Sequence, residues 1–107
     1  MALIPSDYRA SMRTQMLGKY VLVRTYSAGV HCGVLGEKHG KEVRLSNARR
    51  IWRWVGANTL NEIALIGVGV ESKISQSVPS IELTEAIEVI LCSEQSERSL
   101  RQAGWTV

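Results

Sequence analysis

Cysteine is scarce in this chain: its 107 residues include two, Cys32 and Cys92, too few for a disulfide scaffold. Residues 1–7 show no basic stretch ahead of an apolar one, so no secretory signal is read there. Both thiols are therefore expected to be reduced, in a cytoplasm. Long hydrophobic runs are also missing. The longest, which ends at Val70, already contains Gly67 and Gly69. It falls far short of the roughly 18–20 apolar residues of a membrane span, so no membrane partner is expected.

Catalytic equipment is equally thin. His31, Cys32, His39 and Cys92 are the only imidazole or thiol ligands, and their spacing matches no zinc motif. Strand alternation sends His31 and Cys32 to opposite faces. Cys92 lies in an apolar run, where a thiol stays protonated and inert. Glu82, Glu85 and Glu88 have the spacing of charged outer positions on a strand, not of a defined acid/base pair. Gly29, Gly33, Gly36 and Gly40 lack the lysine and spacing of a phosphate loop. No metal, no cofactor and no enzymatic activity are expected.

What is present fits one globular domain over residues 1–107. Forty-five per cent of residues are apolar and 21% charged, enough for one core but unlike a disordered or fibrous chain. A chain of this size is poorly suited to enclosing a large ligand within one subunit. The formal net charge of +3 hides an asymmetry: residues 1–53 carry +7 and residues 54–107 carry −4. Either the first half offers an anion-binding surface, or the two halves face and neutralise each other.

Periodicity gives an α+β reading, a mostly antiparallel sheet with two or three short helices. Residues 6–17 read as a helix with Tyr8, Met12 and Met16 in a narrow apolar stripe. Residues 19–27 and 30–36 read as strands, joined through Ala28-Gly29. Residues 37–40 read as a hairpin connection and 41–45 as a third strand. Residues 49–55 are ambiguous between helix and strand, and their tryptophans and β-branched residues favour the strand. Thr59-Leu60-Asn61-Glu62 has capping-box form, with Gly67 ending the helix. Residues 71–80 read as a surface loop or edge. Residues 81–92 read as the last strand region, with Thr84-Glu85 as a bulge. Ser93 caps a final helix carrying a Glu97–Arg101 pair.

The remaining constellation is arginine with aromatics. Arg24 and Tyr26 share one face of the first strand, with Ser27 beside them. Asn47, Arg49, Arg50 and Trp54 form a second group. Guanidinium groups bind phosphate bidentately. Aromatic rings stack on bases, and Ser or Asn can hydrogen-bond a base or ribose edge. These are the components of a nucleotide site, with Arg24, Arg49 and Arg50 on phosphates, Tyr26 and Trp54 stacking, and Ser27 and Asn47 orienting. The plainer alternative makes the tryptophans core and the arginines a solvated edge.

Residues 19–30 (KYVLVRTYSAGV), 41–54 (KEVRLSNARRIWRW) and 83–90 (LTEAIEVI) resemble a family of small phage and prophage proteins. The likeness covers residues 19–93. It implies a phage protein acting in the bacterial host cytoplasm. Phage proteins of this size include anti-defence sponges, homo-oligomers that sequester the cyclic oligonucleotide or cyclic ADP-ribose signals of bacterial immunity. The expectation is a non-enzymatic, homo-oligomeric binder of such a small nucleotide. The alternatives are a phage accessory protein that inhibits a host protein, and a nucleic-acid-binding domain, which the acidic second half disfavours.

Overall fold

A computed structural model describes residues 15–104. The helix expected over residues 6–17 falls almost wholly outside the described residues, and Trp105 lies outside them too. Strand β1, Tyr20–Thr25, pairs antiparallel with β2, Val30–His39, which pairs antiparallel with β3, Glu42–Arg53. This is the expected meander. Gly40, at φ 59°, supplies the left-handed residue that the tight β2–β3 turn needs.

The two strands expected over residues 41–45 and 49–55 are one strand in the structure. They join through an irregularity at Asn47, the one described non-glycine residue with positive φ, 49°. Opposite it the β2 register shifts between Cys32 and Val34. Gly33 sits there because a Cβ would lie 2.9 Å from the Ser46 carbonyl oxygen. The bulge bends the β2–β3 ribbon without breaking it.

The last strands close the sheet. β5, Val78–Leu83, pairs with the first half of β3, and β6, Ala86–Leu91, pairs with β1. Thr84-Glu85 was expected to be a bulge within one strand. It is instead a corner at which the chain leaves β3 for β1. The corner is fixed on both sides: Tyr26 N–H donates to the Glu85 carbonyl at 2.9 Å, and Ala86 N–H to the Lys41 carbonyl at 3.0 Å. β4, Lys73–Ile74, covers the second half of β3. It lies in the stretch expected to be loop or edge. The fold is α+β; the described residues form a six-stranded antiparallel sheet with two helices, α1 at Leu60–Ile66 and α2 at Glu94–Gln102.

Because the sheet curls back on itself, β1 is buried on both faces. Val21 and Val23 point inside with Leu35, Val43, Leu45, Ala48 and Leu83. Tyr20 and Leu22 point outward, where Cys32, Ile51, Ile63, Ala64, Ile74 and Leu100 form a second core beneath the helices. Thr59 caps α1 by accepting from Glu62 N–H at 3.2 Å, as the capping box requires. Ser93 caps α2 in the same way, accepting from Ser96 N–H at 3.0 Å.

The helices are tied by three serines spaced every third residue along α2. Ser93, Ser96 and Ser99 donate to the carbonyls of Leu65, Ile63 and Val68 at 2.7, 2.5 and 3.1 Å. They thereby satisfy backbone acceptors around the C-terminus of α1. Gly67 must be glycine here. Its φ is 87°, and a Cβ would fall 2.2 Å from that of Ser99. Gly67→Ala should therefore cost at least about 2 kcal/mol, since positive φ and a close contact penalise the same atom. The urea midpoint of unfolding reads this directly.

Arg49 carries the other end of α2. Its Nε donates to the Ser75 carbonyl at 2.7 Å and Nη1 to Leu100 and Arg101 carbonyls at 2.6 and 3.2 Å. Nη2 donates to the carbonyls of Ile74, at 3.3 Å, and Ala103. One guanidinium thus joins β3 to the β4 segment and to the carbonyl end of α2, where positive charge also suits the helix dipole. Arg49→Ala should destabilise by roughly 2–4 kcal/mol, the range for breaking a partly buried charged network. Arg49→Lys should recover less than half of that, because one ammonium cannot span these acceptors. Thermal unfolding of both variants tests the assignment.

Candidate functional site

The described residues form an open cleft of about 1030 Å³. It lies where β6, the Tyr26 end of β1 and the β2–β3 tip come together. Its apolar surface includes Met16, Leu35, Ala86, Ile87 and Val89; Lys38 and Lys41 lie on the β2–β3 tip, and Glu85 and Glu88 on the β6 side. The volume suits a drug-sized or nucleotide-sized molecule.

Tyr26 lines this cleft with 78% of its surface exposed. A ring held at a strand end but left this bare can receive a planar partner. Its base is firmly built. Thr25 Oγ1 donates to the Gly29 carbonyl at 2.7 Å and accepts from Ala28 N–H at 2.8 Å, which closes the Ser27-Ala28-Gly29 turn. Beside the ring, Ser27 Oγ donates to Glu85 Oε1 at 3.2 Å. Arg24 Nε donates to Glu88 Oε1 at 3.1 Å.

The structure therefore brings Arg24, Tyr26 and Ser27 together at one rim and sends the other expected site residues elsewhere. Arg24 meets a carboxylate there rather than standing open for phosphate. Arg49 is a correction: its guanidinium is taken up by backbone carbonyls, so it does not face a ligand. Trp54 is a second: it is half-buried against the outer core. Arg50 is exposed, and its backbone N–H donates to Ser75 Oγ at 2.8 Å. Asn47 is exposed at the β3 irregularity. Neither Arg50 nor Asn47 lines the cleft.

Lys38, Lys41 and Glu85 were not singled out as ligand contacts from the sequence. The first two look like an ordinary hairpin tip, and the third like a solvated strand position. Only the closure at the 84–85 corner places them around one space. Two ion pairs join the basic half to the acidic one. Arg24 meets Glu88 at 3.1 Å and Arg44 meets Glu82 at 2.6 Å, while Arg44 also meets Glu37 of its own half at 2.6 Å.

Burial pushes the Cys92 thiol up to about 11 and raises that of Cys32, which accepts a hydrogen bond from the Tyr20 hydroxyl at 3.3 Å. Among the described residues no group of three or more His, Cys, Asp or Glu side chains could hold a metal ion. None of the described helices is long and apolar enough to cross a membrane.

His31 is fully buried under the Tyr26 turn, its Nε2 2.9 Å from the Ala28 carbonyl. That contact requires the proton on Nε2 and leaves Nδ1 an acceptor without a partner. Burial holds the imidazole below its ordinary 6.5, with a further lowering from Arg50. The folded protein thus binds fewer protons than the unfolded chain once pH drops below 6.5. Stability should be flat above that value on this account and fall below it, by at most about 1.4 kcal/mol per pH unit for one proton. Urea unfolding from pH 7.5 to 5 should show this slope, and His31→Gln should flatten it.

A family model described as "Domain of unknown function (DUF6948)" matches residues 18–100. No curated protein and no solved structure matches the chain.

Proposed function

The chain belongs to the DUF6948 family, and we propose that it is a non-enzymatic binding protein that takes up a small nucleotide signal in the cleft beside Tyr26. The observation that carries this reading is the pairing of a bare aromatic ring with two lysines around one apolar-floored space. Tyr26 would stack on the base, and Lys38 and Lys41 would meet phosphate. Stacking and charge contacts made equally to a bound and a reacting molecule give binding without rate acceleration.

On this reading the protein is an anti-defence sponge in the bacterial host cytoplasm, holding a cyclic oligonucleotide or cyclic ADP-ribose. The cleft is open, so a homo-oligomer that brings a second subunit over it fits the same reading. A second reading, inhibition of a host protein, is favoured by β6. It pairs with β1 alone among the described residues and leaves Ile87 and Leu91 each 50% exposed. An unpaired, apolar strand edge is a template for another chain.

Incubation with cyclic dinucleotides and cyclic ADP-ribose, removal of free ligand and heat release should return the ligand chemically unchanged. Tyr26→Ala should weaken retention about 10- to 100-fold, as expected for one lost stacking contact. Its thermal unfolding should stay near wild type, because the ring is exposed. Recovery of a linear product would replace sequestration by hydrolysis. Retention of nothing, with co-purification through β6 of a defined host protein that Leu91→Asp releases, would favour the second reading.

A further inference from the structure

The Tyr26 ring does not stand alone at its end of the cleft. Its backbone N–H donates to the Glu85 carbonyl at 2.9 Å, so the two residues face each other across neighbouring strand ends. Cross-strand neighbours project to the same face, with their Cβ atoms roughly 4.5–5.5 Å apart. The Glu85 carboxylate therefore belongs beside the ring, where the edge of a stacked base would lie. It is also aimed: Ser27 Oγ donates to Oε1 at 3.2 Å. Glu88, next on the same wall, is neutralised by Arg24 at 3.1 Å. Lys38 and Lys41 lie on the β2–β3 tip, and the Lys41 carbonyl accepts from Ala86 N–H at 3.0 Å, next to Glu85. The cleft thus carries both lysines and an oriented carboxylate.

We infer that this end selects guanine over adenine, so that the ligand is a guanine nucleotide; the inference rests on the nucleotide reading above. A carboxylate accepts hydrogen bonds and donates none when ionised. Guanine offers two adjacent donors on its Watson–Crick edge, the N1–H and the exocyclic amino group, which match a carboxylate. Adenine offers one amino donor next to the N1 lone pair, which opposes it. Discrimination of this kind arises as much from the mismatch with the wrong base as from contact with the right one.

The test is titration calorimetry of the full chain with cyclic di-GMP, cyclic di-AMP, cyclic ADP-ribose and GMP. Cyclic di-GMP should bind about 10- to 100-fold more tightly than cyclic di-AMP, the span that a good base-edge contact supplies. GMP separates a requirement for the base alone from one for the cyclic ligand. Glu85→Gln keeps the size of the side chain but adds a donor, so it should bring the two cyclic dinucleotides to within about threefold. Ser27→Ala should narrow the gap part of the way. Binding of both dinucleotides with equal affinity by wild-type protein would overturn guanine selection and leave the nucleotide reading standing. Binding of neither, nor of cyclic ADP-ribose or GMP, by protein with a normal thermal transition would overturn the nucleotide reading itself. A guanine preference that survives Glu85→Gln would overturn the role of Glu85.

Discussion

Everything in this fold depends on one segment bridging two strands that do not touch. β1 and β3 are separated by β2, yet β5 pairs with β3 and β6 pairs with β1, and only Thr84 and Glu85 lie between them. A flat meander would leave one face of β1 in water. The bridge forces the sheet to curl, so Val21 and Val23 acquire an interior. The helices then need to cover only the outer face, where Tyr20 and Leu22 emerge. The same curl brings the β2–β3 tip toward β6 and thereby makes the cleft.

Polar contacts then fix what apolar burial leaves loose. Hydrophobic packing is non-directional and would not by itself set how α2 lies on α1. The serines of α2 do so, through carbonyls at the end of α1, and Arg49 fixes the far end of α2 from the strand beneath it. Leaving those acceptors buried without donors would cost more than the hydrogen bonds contribute. These contacts therefore act as orientation locks around a core that could slide.

The elements written locally in the sequence were legible. β1 carries its own β-branched and aromatic run, and both helices begin at a serine or threonine that does cap them. Residues 49–55 also went the way their tryptophans suggested, although as part of one long strand. What was not legible depends on distant partners. Thr84-Glu85 looks like a bulge until β3 and β1 are known to be its two neighbours. Arg24 and Arg49 are the same residue type on the first and third strands of one meander. One lies at a cleft rim, while the other is surrounded by carbonyls from residues 25 to 54 positions away. No local pattern distinguishes them. Of the expected site residues, Arg24, Tyr26 and Ser27 lie together beside the cleft, Arg49 and Trp54 are taken up by the scaffold, and Asn47 and Arg50 stay exposed away from it.

The long reach of these contacts also sets the order in which the molecule can assemble. β1 pairs Val21 with Leu91, and the acceptors of Arg49 lie as far along as Ala103. The first meander can form early from neighbours in sequence. It stays open on its inner face until the last third of the chain arrives. Loop closure on that scale is slow compared with hairpin formation. During synthesis, a chain ending before β6 would present the valines of β1 and the free edge of β1 to solvent, a species prone to stick to its copies. Folding is therefore committed late, by the C-terminal strand and helix, even though the strands that will flank the cleft are among the first to be made.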